Sequence, residues 1–417
     1  MKYMGSKRTM LGNGLGELLR REASRHKRFI DLFSGSGAVA WFVSRKTSAQ
    51  VVAFDIQKYA AVLAQSVIGR TRSVDPNSLI KSFIGSARTG CTTNSCWHQA
   101  QALDKAALPI PQWVTRARTL CSTGDAGKIL QAYGGHYFSP SQAVAIDSLI
   151  GALPEKRTDH DLCLAALLIA ASNCAASPGH TAQPFQPTTT AGMYIRESWK
   201  RDIFFYVEKA LGELAPLYAR TRGNAEVGDA VIVASRFKEG DLVFIDPPYA
   251  GVHYSRFYHV LETVARGRCD TVSGVGRYPP PAERPASAFS RKGESRQAFD
   301  RLMSVLAERG CTVIVTFPAG ECSNGLSGQI VTGLASQYFR VERKTVASRF
   351  STLGGNNSHR KARIHVEELI LHLRPKTKYY AARDTSASST LWMDKTAGSH
   401  RKGAGASRQI LSCLDAT

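Results

Sequence analysis

One stretch constrains the fold of this chain more than any other. Phe29-Ile30-Asp31-Leu32-Phe33 runs straight into Ser34-Gly35-Ser36-Gly37, then into Ala38-Val39-Ala40-Trp41-Phe42-Val43. A short apolar run, two glycines, and a second apolar run predict strand, tight turn and helix. Val51-Val52-Ala53-Phe54, closed by Asp55, predicts the next strand, with a helix through residues 59–67. Together they form a βαβ unit, the opening of a doubly wound, mostly parallel α/β sheet of Rossmann-like type.

Gly35-x-Gly37-x-x-Ala40, with Asp55 ending the next strand, suits an adenosine-containing cofactor. Glycines let the ligand approach the turn, and a carboxylate at the next strand tip takes two ribose hydroxyls. Nicotinamide dinucleotides and S-adenosylmethionine share this part and differ at the other end. A pyrophosphate needs the helix N-terminus, whereas S-adenosylmethionine ends in a zwitterion that needs partners of both signs. Asp31, just before the turn, suits the ammonium. Lys7 suits the carboxylate or orders its surroundings, and in so basic a chain a solvated lysine is the plainer alternative.

Past residue 70 the pattern changes. Helical stretches dominate to about residue 222, notably Asp161 to Ala171 and Asp202 to Leu217, separated by polar loops such as Ser177-Pro178-Gly179-His180. Strand signals then resume at Ala230-Val231-Ile232-Val233 and, more strongly, at Leu242-Val243-Phe244-Ile245. Cys269 to Lys292, rich in Pro, Gly, Ser and Arg, predicts a long mobile loop. A strand at Thr312 to Phe317, a helix at Leu326 to Phe339, and strands near Val341 to Phe350 and Arg363 to Leu373 follow. Gly354-Gly355-Asn356-Asn357 between the last two has hairpin-turn chemistry. The expected organisation is one α/β domain (residues 1–69 and 223–375), a mainly helical insertion (70–222), and a disordered basic tail (376–417).

Asp246-Pro247-Pro248-Tyr249 follows the strongest strand, at the carboxyl edge where doubly wound sheets place ligands. Two successive prolines stiffen a turn and fix its carbonyls. An exocyclic base amine is a poor nucleophile, because its lone pair is delocalised into the ring. The Asp246 carboxylate and Pro247 carbonyl can each accept one N–H bond, pushing that nitrogen toward tetrahedral geometry. Tyr249 offers a stacking face for a base that has left the helix. The bland reading, a polar turn after a strand, lacks an account of the glycine turn on the neighbouring strand.

The formal net charge of +21 favours a polyanionic partner, because each Lys or Arg placed on a phosphate releases counterions. A merely solubilising surface is the alternative. Nine cysteines lack metal-type spacing; Cys91, Cys96 and His98 come nearest, while zinc pairs sit about two to four residues apart. Reduced thiols and no metal are expected. No apolar run reaches membrane-spanning length and no signal segment opens the chain, so a cytoplasmic protein without a membrane partner is expected.

With these motifs in this order, the chain resembles the adenine-specific DNA methyltransferases of the Dam-like (alpha-group) class. Lys2-Tyr3-Met4-Gly5-Ser6-Lys7 resembles their N-terminal cofactor motif, Asp31 to Gly37 their glycine motif, and Asp55 their ribose-binding acid. Gly228-Asp229-Ala230 resembles the acidic motif near the adenine ring, and Asp246 to Tyr249 the catalytic motif. Gly354-Gly355 with Val366 to Pro375 resembles the closing hairpin. The resemblance implies S-adenosylmethionine as cofactor, bordered by Tyr3, Lys7, Asp31, Gly35, Gly37, Asp55, Asp229 and Asp246. It implies Asp246, Pro247, Pro248 and Tyr249 as the catalytic residues. Double-stranded DNA is the implied partner, a cognate restriction enzyme a candidate second one, and a prokaryotic or phage setting follows. The insertion would recognise the target, yet Asn173 to Gln186 departs from the glycine-rich DNA-probing loop the class often carries there.

Competing readings keep the chemistry and change the amine: N4 of cytosine, an adenine in RNA, or a protein glutamine. Cytosine enzymes more often carry Ser or Thr at the place of Asp246, and glutamine enzymes Asn. A DNA-binding subunit with a dead methyltransferase fold and a nicotinamide oxidoreductase are the remaining alternatives.

Overall fold

Seven strands form one sheet: β1 (Arg28–Asp31), β2 (Gln50–Asp55), β3 (Asn224–Val227), β4 (Asp241–Ile245), β5 (Thr312–Pro318), β6 (Phe339–Ser351) and β7 (Arg363–Pro375). Their order is β3-β2-β1-β4-β5-β7-β6. The first five run parallel, and β7 lies antiparallel between β5 and β6. This computed structural model describes residues 7–122, 127–351 and 363–376. The mixed, mostly parallel α/β sheet expected from the βαβ opening is present.

Central parallel strands are covered on both faces, and so read as continuous apolar runs rather than alternations. In β4 every residue is buried. Val243 and Ile245 pack on one face with Phe299, Leu302 and Val331, while Leu242 and Phe244 pack on the other with Leu19, Val39 and Val43. The order reverses between β1 and β4, which pair directly from Arg28↔Asp241 to Asp31↔Phe244. That junction is the topological switch point, where the strand tips open a crevice.

The turn after β1 needs its glycines. Gly37, at φ 75°, caps the helix Ala38–Lys46, and a Cβ there would lie 2.9 Å from Trp41 Nε1 and 3.3 Å from Ala64 Cα. Helix Lys58–Ile68 therefore seats hard against the turn.

The described residues between 70 and 222 form mainly helices, including Pro76–Thr93, Pro140–Gly151, Arg157–Cys174 and Ile203–Leu214. Their core also takes in Tyr59, Leu63 and Val67 of helix Lys58–Ile68 and Val260, Leu261 and Val264 of helix Tyr254–Arg266. Buried Arg70, at the start of this region, donates to the carbonyls of Leu214 (2.6 Å) and Ala215 (2.9 Å) at its far end. Entry and exit are thus tied together.

Two expectations fail. Ala230-Val231-Ile232-Val233 is not a strand but the start of the short helix Ala230–Ala234, because Asp229 Oδ1 accepts from the amides of Val231 and Ile232 and starts a helical turn. Strand β3 lies just before it. Residues 269–292, expected as a loose loop, are irregular but pinned. Arg277 donates to the carbonyls of Ala132 and Gln131, both at 2.8 Å, and Phe289 is buried in the sheet core. The expected hairpin turn at Gly354 to Asn357 and the tail beyond Lys376 lie outside the described residues, as does Tyr3.

Candidate active site

The strand order β3-β2-β1-β4 lays the tips of four strands side by side, and each carries an acid beside one pocket. Asp229 follows β3, Asp55 ends β2, Asp31 ends β1, and Asp246 follows β4. The pocket holds about 980 Å³ of empty space, part of it open to solvent. Gly35, Pro247, Pro248 and Tyr249 line it too, and Lys7 closes one wall. Of the residues expected from sequence, Gly37 sets the turn from behind and does not line the pocket.

Asp55 is held from both sides: Oδ2 accepts from the Gly35 amide and Oδ1 from the Gln57 amide, each at 2.9 Å. Burial, with some repulsion from Glu262, nonetheless lifts its carboxyl to about 6 against those amides. Asp31 is more exposed to unlike forces. Its Oδ2 accepts from the Ala40 amide at 3.1 Å, while Oδ1 is buried with no hydrogen-bond partner among the described residues. Burial first, then repulsion from Asp246, raises this carboxyl to about 8. A buried carboxylate oxygen without a donor calls for a cationic ligand.

Asp246 sits at the other end of the pocket. Thr316 Oγ1 of β5 donates to its Oδ1 at 2.9 Å, and Lys7 Nζ lies 3.0 Å from the same oxygen. Lys7 Nζ also reaches Glu368 Oε2 of β7 at 3.1 Å. Burial alone would lower the Lys7 ammonium, yet the two carboxylates hold it above the usual lysine value. Burial raises the Asp246 carboxyl, and Lys7 and the Thr316 hydroxyl partly offset that. Lys7 therefore serves the catalytic-motif carboxylate rather than standing free.

The turn itself is gripped from outside. Asn324, fully buried, donates to the Pro248 carbonyl at 2.8 Å and to the Phe289 carbonyl at 3.0 Å. The hydroxyl of neighbouring Ser323 accepts from the Gly251 amide at 2.9 Å. Tyr249 shares a hydroxyl hydrogen bond with Tyr254, and burial raises both phenols. Phe257 and Tyr258 pack into the helical core. The segment Asn173 to Gln186 lies against the helix after the Asp246 turn: Thr181 donates from its amide (2.7 Å) and its hydroxyl (2.8 Å) to the Phe257 carbonyl.

Glu368, Thr316 and Asn324 escaped the reading of the sequence. Glu368 stands in an apolar strand run, where a buried acid is a weak hint of a partner, and the other two carry no local signal. Among the described residues no His/Cys/Asp/Glu cluster could hold a metal ion, and no helix is long and apolar enough to cross a membrane.

Comparison with known proteins agrees with this geometry. Modification methylase LlaI of Lactococcus lactis subsp. lactis is 38% identical over 63 residues, 15% of this chain. That match spans 10% of the length of the relative. The family model of the D12 class N6 adenine-specific DNA methyltransferases matches residues 3–88 and 179–277. Those two segments hold the glycine turn, Asp55, Asp229 and the Asp246 turn, so the pocket-forming strand tips of the sheet fall within the match. Over those two segments the chain is similar to the D12 class N6 adenine-specific DNA methyltransferases.

Proposed function

We propose that this protein transfers the methyl group of S-adenosylmethionine to N6 of an adenine swung out of duplex DNA. The observation that carries the reading is Asp246-Pro247-Pro248-Tyr249 at the switch-point tip of β4, beside a pocket whose acids suit a cationic, ribose-bearing ligand. The sulfonium supplies an electrophilic methyl when the cofactor is bound. Asp55 takes the ribose hydroxyls, Asp229 borders the adenine ring, and the unpartnered Asp31 oxygen takes the ammonium.

The contacts of Asp246 among the described residues fall on Oδ1, which leaves Oδ2 to face the substrate amine. That oxygen and the Pro247 carbonyl accept the two N–H bonds, localising the lone pair on nitrogen. Burial has raised the Asp246 carboxyl, so its carboxylate is a stronger acceptor than one in water. Tyr249 stacks on the flipped base. As the nitrogen gains the methyl, at the expense of the carbon–sulfur bond, it becomes cationic; the adjoining Asp246 carboxylate steadies that charge until the surplus proton passes to solvent.

The helical region 70–222 recognises the target in this reading, supported by the excess of positive charge and by the seating of Asn173 to Gln186 beside the catalytic turn. The relative named a modification methylase supports a cognate restriction enzyme as partner, acting with this protein on DNA in a prokaryotic or phage-infected cytoplasm. The test is direct. The protein is incubated with labelled S-adenosylmethionine and duplex DNA, single-stranded DNA or RNA, and the products are digested to nucleosides. Label in N6-methyldeoxyadenosine from duplex DNA is expected; label in N4-methylcytosine nucleosides, or only in the RNA digest, overturns the assignment.

A further inference from the structure

Among the described residues, four buried polar atoms around the pocket have no hydrogen-bond partner: Asp31 Oδ1, Ser34 Oγ, Ser290 Oγ and, at the Asp55 end, Gln57 Nε2. Asp31 accounts for an ammonium. The two hydroxyls are donors, and they stand on opposite walls. Ser34 belongs to the turn after β1; its amide donates to the Phe54 carbonyl and its own carbonyl accepts from Gly37, so only the hydroxyl is unspoken for. Ser290 belongs to the segment after helix Tyr254–Arg266, outside every motif in the sequence.

The preceding residues fix their relation. Phe33 and Phe289 meet edge to face with ring centroids 5.1 Å apart, which brings the two serines into one end of the pocket. Phe289 is buried in the sheet core, and its carbonyl accepts from the same Asn324 that holds Pro248. Ser290 is therefore seated by the β4 tip, away from the ribose end marked by Asp55 and Asp229. A buried hydroxyl that faces a ligand cleft and finds no acceptor in the protein is costly unless the ligand supplies one.

The obvious cation for a cofactor carboxylate is not available. Lys7 lies 3.0 Å from Asp246 and 3.1 Å from Glu368, committed to two buried acids. We infer that Ser290, together with Ser34, receives the methionine carboxylate of the cofactor, and that Lys7 does not. Residues 285–290 are thereby a wall of the cofactor site, set by the core rather than a loose flap. The assignment rests on the S-adenosylmethionine reading above and deepens it.

Calorimetric titration of the whole protein with S-adenosylmethionine and with its decarboxylated analogue separates the two. The analogue keeps the sulfonium and ammonium and lacks only the carboxylate. Ser290→Ala should weaken S-adenosylmethionine binding by about tenfold, the effect of one hydrogen bond to a charged group, and leave the analogue within about twofold of wild type. Ser34→Ala gives the same signature from the other wall, independently of how well the first variant folds. Equal losses for both ligands, or no loss for either, overturn the serine assignment while the cofactor reading stands. Failure of the unaltered protein to bind S-adenosylmethionine overturns both. A Lys7→Met variant that selectively loses the carboxylated ligand would return that role to Lys7 and also refute the inference.

Discussion

The ammonium of Lys7 lies 3.0 Å from Asp246 Oδ1, and the same nitrogen reaches Glu368 3.1 Å away on the last strand of the sheet. One cation thus serves two buried acids. Removing it as Lys7→Met leaves both uncompensated, and breaking a buried pair commonly costs about 3–5 kcal/mol. Lys7 lowers the Asp246 carboxyl, so its loss lets that value climb further. The acidic limb of the kcat/KM profile should move to higher pH in Lys7→Met. The double variant Lys7→Met with Glu368→Gln should recover part of the stability, read by chemical denaturation. An unmoved acidic limb would show that Asp246 does not titrate in catalysis.

Asp246→Ala removes one of the two acceptors that reshape the amine. Methyl transfer should fall by about 100-fold or more, the usual scale for a lost, well-positioned polar group. Cofactor affinity should weaken far less, and the circular dichroism spectrum should match wild type. Turnover within a few-fold of wild type would end this mechanism.

Asp31 links stability to binding. Its carboxyl is raised to about 8 in the folded chain, so the native state holds that proton where the unfolded chain has released it. Stability from this group is complete below about pH 4 and is lost as pH rises towards about 8. Asp55, raised to about 6, adds a smaller contribution of the same sign. Asp31→Asn keeps an oxygen for the Ala40 amide and abolishes the buried charge. Its Tm should exceed wild type by roughly 2 °C or more at pH 8, with a smaller gap at pH 5. S-adenosylmethionine affinity should drop by about tenfold or more, because the ammonium loses its counter-charge. Thermal scans at both pH values and one titration decide the matter. A variant both less stable at pH 8 and unchanged in binding would contradict this account.

The excess of positive charge makes a prediction for DNA. Affinity for duplex should fall linearly on a log–log plot against salt, with a slope of roughly −0.9 for each phosphate neutralised. Fluorescence anisotropy at several salt concentrations reads the slope. Of the basic residues in the 277–292 loop, Arg277 is already bonded to backbone carbonyls, and Arg291 pairs with Glu294 at 2.8 Å. Arg277→Ala should therefore lower stability more than it changes the slope.

Local periodicity and turn chemistry made much of this molecule legible. The glycine turn, the β4 strand and the Asp246 turn were readable because each is a contiguous run whose residues meet neighbours in sequence. Ala230 to Val233 misled because four apolar residues fit a strand or a helix equally, and the deciding Asp229 cap lies just outside the run. Glu368, Thr316 and Asn324 were hidden for a different reason. Each acts on a residue tens to hundreds of positions away, and only the sheet order brings them together. The grip on 269–292 was hidden likewise, since Arg277 finds its carbonyls 145 and 146 positions upstream.

The partners of Lys7 have a consequence for how the enzyme comes into being. The hydrogen bond from Lys7 to Glu368 joins positions 361 residues apart, and β7 slots between β5 and β6 rather than adding to an edge. On the ribosome, the pocket at the strand tips is synthesised long before the strand that completes its electrostatics. A nascent chain halted ahead of β7 has a glycine turn, four strand-tip acids and the Asp246 turn, but not the acid that shares the lysine with Asp246. In the proposed mechanism, methyl transfer therefore awaits synthesis of the last strand of the sheet.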